Sequence, residues 1–315
     1  MSIIEQATKR LEELNRAGIA VPWAAANLKE SDFRHAADLT RRGGLELLTP
    51  AAEDRHGAKD DAPAKRSMRR PGAAANGPRV TLDLQKIEAG GNLVPTQLRS
   101  ILAEEFRQIK RPLLKNARSK AAASERLPLI MVTSAMPGEG KTFSAINLAM
   151  SIAVEIDMSV LLIDADVVRP DAMRRLGVEE ERGLLDLLTN PSLRLEDVVI
   201  QTNVPKLSLL PAGRRSNLST ELLASEAMEE LLVSLATEYP GQIAIFDAPP
   251  LLLTSEAKVL ASRVGQVVLV VEAGGTSRST VANAFAAVEN CPIVMSVLNK
   301  STEPQLPVGY GYYYG

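Results

Sequence analysis

From Leu129 onward the chain alternates two kinds of segment, and that alternation leaves few folds open. Short apolar, β-branched runs (LIMVTS from 129, SVLLIDA from 159, KLSLLPA from 206, QIAIFDA from 242, QVVLVVEA from 266, PIVMSVL from 292) are separated by stretches of helical spacing at 143–156, 219–237, 255–262 and 279–289. A strand that is apolar at consecutive positions has to bury both of its faces. Strands alternating with helices then give a mainly parallel sheet covered by helices on both faces, an α/β architecture. The sequence contains no internal repeat.

Upstream the pattern weakens. Ile3, Ile4, Ala7, Leu11 and Leu14 recur at helical spacing among Glu5, Lys9, Glu12 and Glu13, which predicts a short amphipathic N-terminal helix within 1–20 that stops near Gly18. Alone, a helix this short is marginal in water, so it either docks on something or frays. Residues 21–95 read as a linker, mostly disordered, because Ala, Asp, Arg, Gly and Pro dominate and apolar periodicity is almost absent. Its basic residues Lys65, Arg66, Arg69 and Arg70 are either plain solvated charge or a contact for acidic lipid, and residues 80–84 are a candidate short strand. A helix beginning near Thr96 and running through ILAEEFRQIKRPLL opens the main domain, 96–300, and 301–315 forms a flexible tail.

Composition narrows the function classes. At 315 residues the chain can hold one large domain with extensions. A formal net charge of −2 gives no general reason to bind nucleic acid or adsorb to a membrane. The single cysteine, Cys291, excludes a disulfide framework and fits a reducing compartment. Both histidines, His35 and His56, fall in the polar N-terminal region, which argues against histidine catalysis or a zinc site. No apolar run reaches the roughly 18 residues of a membrane span, and the first ten residues mix acid and base without a signal-peptide core. The expected location is cytoplasmic, with any membrane role supplied by a partner.

The chemistry concentrates at three strand ends. The first run leads into Ser134-Ala135-Met136-Pro137-Gly138-Glu139-Gly140-Lys141-Thr142 and then into a helix. Glycines there let backbone N–H groups wrap a phosphate, and the helix N-terminus adds a positive dipole end. Lys141 would reach the β- and γ-phosphates of a nucleotide and Thr142 would ligate Mg²⁺, so Pro137 to Phe143 form the expected nucleotide cradle. The second run ends in Asp164-Ala165-Asp166, followed by Arg169-Pro170; carboxylates at i and i+2 share one face of an extended chain, an arrangement that calls for a cation. The fourth run delivers Asp247 before Ala248-Pro249-Pro250, a candidate Mg²⁺ ligand.

These three segments, in this order, resemble the bacterial tyrosine kinases, P-loop ATPases of the branch that also holds MinD and ParA. The match lies in Ser134–Thr142 (a loop of the form SxxPGEGK[ST]), in Ile163–Asp166 with Arg169-Pro170 and in Phe246–Pro250, and it extends over about 96–315. The stretch from Leu210 through Asn217 to Leu223 is also similar, with Ser216 where the family usually has proline. Glu104, Arg107 and Lys110 resemble the family's E-x-x-R-x-x-R oligomerisation helix, lysine replacing the last arginine; from the helix alone, exposed i,i+3 salt bridges fit equally well.

The resemblance implies a P-loop NTPase fold and an ATP- and Mg²⁺-dependent tyrosine autokinase of the soluble, exopolysaccharide-associated kind. It implies Asp166 and Asp247 near the metal, with Asp164 taking the proton of an incoming tyrosine. Its implied partners are other copies of the chain, a membrane chain-length-determinant protein (a polysaccharide co-polymerase) and a phosphotyrosine phosphatase, but no nucleic acid.

The tail supplies a substrate. Four of the five tyrosines, Tyr310, Tyr312, Tyr313 and Tyr314, crowd the last six residues among glycines, while Tyr239 stands alone in the body. Each phosphate adds roughly −1.5 to −2 charges, so phosphorylated tails are expected to repel one another and a carboxylate-lined site, loosening an assembly held by tails in neighbouring sites. The rival is a MinD/ParA-like ATPase acting as an assembly or positioning factor. Such proteins carry an early lysine in a K-G-G-x-x-G-K loop, and Ala135-Met136-Pro137 has none.

Overall fold

The computed structural model describes residues 77–97, 99–119, 125–179 and 182–302. The expected N-terminal helix, the linker up to residue 76 and the tail tyrosines lie outside these residues. One eight-stranded sheet organises the described part, in the order β1-β4-β5-β3-β6-β2-β7-β8. Its strands are β1 (Arg79–Val80), β2 (Leu129–Ser134), β3 (Ser159–Asp164), β4 (Ile200–Thr202), β5 (Leu207–Leu210), β6 (Gln242–Asp247), β7 (Gln266–Glu272) and β8 (Ile293–Asn299). From β5 to β8 every pairing is parallel; β4 runs antiparallel to β5, with β1 parallel to β4.

Burial on both faces follows from alternation along each strand. In β2, Leu129 and Met131 enter one core while Ile130 and Val132 enter the other. The second core is closed by α1 (Leu84–Ala89), α2 (Ile101–Ala117), α3 (Lys141–Ala153) and α4 (Ala172–Leu176). Against the first lie α5 (Leu184–Thr189), α6 (Leu195–Val198), α7 (Ser219–Ala224), α8 (Glu226–Thr237), α9 (Ser255–Ala261) and α10 (Arg278–Ala286). Each fully buried Leu, Ile or Val contributes about 1.5–3 kcal/mol, so the central strands form the most stable part of the fold. Cys291 and Tyr239 belong to the first core, the cysteine buried and the tyrosine partly so.

Several boundaries differ from the sequence reading. Order begins upstream of residue 96: β1 pairs with β4, and α1 buries Ile87 behind an Asp83 cap that accepts from the Lys86 N–H at 3.0 Å. The helix expected near Thr96 starts at Ile101, because Ser100 caps it by accepting from the Ala103 N–H at 3.1 Å. The single helix expected over 219–237 is two, with Ser225 ending α7 and capping α8 through the Met228 N–H. The candidate strand at 80–84 is reduced to the two-residue β1, which overlaps it at Val80, and β4 was too brief to leave a periodic signal.

Candidate active site

The loop between β2 and α3 leaves the sheet where β2 is flanked by β6 and β7, strands that come later in the chain. Such a reversal of strand order opens a crevice at the C-terminal ends of the strands. Gly138 and Gly140 have φ of 88° and 100°, a left-handed conformation that side chains other than glycine rarely adopt. Gly140 is also the N-cap of α3, so the loop runs straight onto the positive end of a 13-residue helix. A cavity of about 650 Å³ opens here, lined by Pro137, Gly138, Gly140, Lys141, Thr142 and Phe143 on the loop side.

Glu139 turns its side chain out of the expected cradle. Its side chain is buried away from the cavity, accepting from the Met136 N–H at 2.6 Å and from the Thr276 hydroxyl. Its carbonyl accepts from Asn299 Nδ2 at 2.8 Å. Glu139 therefore shapes the loop from behind, tying it to the ends of β7 and β8, and cannot offer its carboxylate to a nucleotide.

The three aspartates do not play equal parts. Asp164 and Asp247 are register partners at the ends of β3 and β6. Asp166 lines the cavity and accepts from Lys141 Nζ at 2.7 Å, while its other oxygen accepts from the Arg169 N–H at 3.0 Å. Asp164, expected as the proton acceptor, is fully buried, with Oδ2 accepting from the Ala172 N–H at 3.0 Å, and does not line the cavity. The reason is local. β3 ends at Asp164, so the same-face rule for i and i+2 does not carry on to Asp166.

Asp247 is the site's least satisfied group. Its carboxylate is fully buried, neither oxygen has a well-formed hydrogen bond, and Lys141 Nζ stands 3.9 Å from Oδ1. Burial pushes its pKa up to about 6, against the opposing pull of the Lys141 charge and the nearby Thr142 hydroxyl. For Lys141 burial works against the charged form, but Asp247, Asp166 and Asp164 outweigh it and hold the ammonium above the ordinary lysine value. A bare buried carboxylate beside a threonine hydroxyl suits a hard divalent cation, which for Mg²⁺ means one or two protein carboxylates plus phosphate and water. Among the described residues no cluster of three His, Cys, Asp or Glu could hold a metal, so phosphate and water would complete the shell.

Sequence reasoning missed the mouth of the cavity, apart from noting Arg169-Pro170 as part of a motif. Arg169, Arg174, Arg175 and Arg215 line it together with Asp171, and all four arginines are exposed. Arg174 and Arg175 both pair with Asp171. Although burial opposes this, hydrogen bonds from Arg175 and Arg174 hold the Asp171 carboxyl below its usual range. Arg215 is delivered by a loop anchored on Asp186, whose Oδ2 accepts from the Gly183 and Arg214 N–H groups at 3.0 Å each. Ser216, in place of the family's proline, accepts from the Leu218 N–H at 3.1 Å and so supplies the bend itself.

On α2 the expected surface triad divides. Glu104 and Arg107 remain outside as an i,i+3 ion pair. Lys110 is turned inward, 5% exposed, donating to the Ser151 carbonyl and to Glu155 Oε1, each at 2.7 Å. It shares its helix face with Phe106, Leu113 and Leu114, so its stem is drawn into the second core and its ammonium finds partners on and just beyond α3. Lys110 is thus an internal anchor, a correction to its expected place at an oligomer surface.

Comparison with known proteins agrees with this geometry. A family model described as an AAA domain matches residues 128–293. Tyrosine-protein kinase YwqD of Bacillus subtilis (strain 168) is 31% identical over 219 residues, covering 69% of this chain and 89% of its own length. Tyrosine-protein kinase CpsD of Streptococcus agalactiae is 31% identical over 191 residues, covering 59% of this chain and 81% of its own. Among solved structures, the BceF tyrosine kinase domain superposes with a TM-score of 0.53 at 27% identity, over 68% of this chain and 86% of that one. The names of these relatives favour the kinase over the MinD/ParA-like alternative. With the loop, the paired strand-end aspartates and the Asp247 strand all falling inside the matched region, the chain belongs to the bacterial tyrosine-kinase family.

Proposed function

We propose that the chain is an ATP- and Mg²⁺-dependent protein-tyrosine autokinase whose acceptors are Tyr310, Tyr312, Tyr313 and Tyr314 of a neighbouring copy. The observation that carries this reading is the bare, buried Asp247 carboxylate beneath Lys141 at the end of the phosphate loop. Thr142 and Asp247 would hold Mg²⁺, with Asp166 nearby, and the ion supplies neutralisation of the charge on the β- and γ-phosphates. Loop N–H groups and the α3 N-terminus cradle the same phosphates, and Lys141 neutralises the charge that builds on the transferring group.

A tyrosine hydroxyl with an ordinary pKa of about 10 needs a proton acceptor at neutral pH. Asp166 is the carboxylate of the pair that faces the cavity and takes that role; Asp164, bonded to the Ala172 N–H, holds the turn beneath it. In balance, the phenolic oxygen forms a bond to the γ-phosphorus and the bond to the β–γ bridging oxygen breaks. ADP departs, and the phenolic proton passes to Asp166. Positioning and charge neutralisation carry such a step more than covalent help does.

The membership in the family supports a place in exopolysaccharide synthesis or export, at the inner face of the membrane. Among the described residues no helix is long and apolar enough to cross a membrane. A membrane chain-length-determinant protein would recruit the chain there, and a phosphotyrosine phosphatase would reset it. Incubating the purified chain with γ-labelled ATP and Mg²⁺ tests the reading. Label on the C-terminal peptide, lost in Lys141→Met, is the expected result; ATP hydrolysis that leaves every tyrosine unlabelled overturns it.

A further inference from the structure

The cavity has two chemically different ends. At its floor, Lys141 is matched by Asp166 and Asp247. The cavity lining also holds the exposed Arg169, Arg174, Arg175 and Arg215 with Asp171, which pairs with Arg174 and Arg175. Arg169 and Arg215 have no carboxylate partner among the described residues. Four guanidinium groups around one opening repel each other, and an anion is what would favour holding them there. The nucleotide's phosphates already have the loop N–H groups, the α3 N-terminus and Lys141 at the floor. Arginine rather than lysine at all four positions also fits a tetrahedral phosphate, which a planar fork grips through two oxygens.

The unmodified tail offers this mouth rings and phenols but no negative charge, because residues 309–315 contain only glycine and tyrosine. One phosphate changes that by adding roughly −1.5 to −2 charges and strong acceptor oxygens. We propose that the four arginines form a phosphotyrosine-binding rim, so that a tail already phosphorylated at one tyrosine is the preferred acceptor for the next. The inference rests on the kinase reading above and adds an order to it. In an extended tail, rings two residues apart lie on one side about 6.5–7 Å apart, so a phosphotyrosine at the rim leaves a second ring free to enter. The chemical step is unchanged: the second phenolic oxygen takes the γ-phosphoryl group from ATP, its proton goes to Asp166 and ADP leaves.

The test uses the full chain after phosphatase treatment and two synthetic peptides of residues 307–315, one unmodified and one carrying phosphotyrosine at position 312. Phosphorylation rates give kcat/KM for each, and fluorescence anisotropy with ADP and Mg²⁺ present gives each peptide's affinity without catalysis. The primed peptide is expected to be favoured about tenfold or more in both measurements, the range of a charge-assisted hydrogen bond or two. In Arg174→Gln/Arg215→Gln, both exposed positions, the preference is expected to fall severalfold, while affinity for ADP and Mg²⁺ changes by less than about twofold. Equal treatment of the two peptides by the unaltered chain overturns the rim. So does a loss of nucleotide affinity in the variant that parallels the loss of peptide affinity, since the arginines would then serve the nucleotide. If no peptide and no tail tyrosine is phosphorylated, the kinase reading fails, and the anisotropy comparison still decides the rim on its own.

Discussion

Replacing Asp247 by asparagine should make the ligand-free protein more stable and leave it unable to use Mg²⁺. The side chain is fully buried without a well-formed hydrogen bond, and its pKa is pushed from 3.8 up to about 6. Unfolded, it gives up its proton near 3.8; folded, it keeps the proton up to about 6. Between those values the native state binds more protons than the unfolded one, so stability falls as pH rises and the whole cost is present above about 6. About two pKa units correspond to about 3 kcal/mol. For a domain of this size that is about 6–12 °C in melting temperature. Asparagine keeps the shape and removes the charge, while Asp166 still holds Lys141 at 2.7 Å.

Urea denaturation of both forms in a chelator at pH 8 and pH 4 checks the arithmetic. The variant is expected to lead by about 3 kcal/mol at pH 8, with the lead vanishing at pH 4. Mg²⁺-nucleotide should then stabilise the unaltered protein by about 2.7 kcal/mol at 100 times its Kd and the variant by distinctly less at the same concentration. A variant no more stable than the parent at pH 8, or a lead equally large at pH 4, would refute the argument that the carboxylate is strained for want of a cation.

Three other outcomes follow from particular contacts. Lys110→Met should cost about 1.5–3 kcal/mol through the lost bonds to Ser151 and Glu155 and leave the association state alone; a changed elution volume with unchanged stability would restore Lys110 to the surface role. Glu139→Ala leaves the Met136 N–H without its acceptor, so stability should drop by about 1–3 kcal/mol and calorimetry should find weaker ADP binding; unchanged values of both would remove Glu139 from the loop's support. Size-exclusion chromatography before and after phosphatase treatment should resolve a larger unphosphorylated assembly, since four phosphates add about −6 to −8 charges and exceed what the arginine rim can match. Identical elution would dismiss charge as the release signal.

The sheet was legible because its six long strands are apolar at consecutive positions, a pattern that needs no tertiary context to read. The loop was legible because Gly138, Gly140, Lys141 and Thr142 combine conformation and chemistry within five residues. What escaped were features set by partners distant in sequence. Lys110 looked like surface charge until Glu155 and Ser151 came to it. The place of the Glu139 side chain was not legible because nothing in the loop's own residues announces Thr276 and Asn299. Asp164 and Asp166 were expected on one face of the strand because a strand's last residue cannot be fixed from its apolar run. The arginine rim is gathered from two separate loops and one short helix, and no spacing rule joins positions 169 and 215.

The bond from Asn299 to the phosphate loop has a consequence for biosynthesis. A Cβ at Gly140 would come within 2.0 Å of Asn299 Nδ2, so the last strand fills space directly beside the second loop glycine. The cradle and the residue that braces it are separated by 159 positions along the chain, although the strand and helix on either side of the loop are adjacent in sequence. During synthesis, which proceeds at about 5–20 residues per second, the loop would therefore have its glycines and lysine well before it has its brace. We expect a released chain that ends before Asn299 to hold a Mg²⁺-nucleotide more weakly than the full chain. Equal retention of a labelled nucleotide by the two would contradict that. If it holds, kinase competence arrives only after the tyrosine tail has been made, so the substrate is complete before the enzyme is.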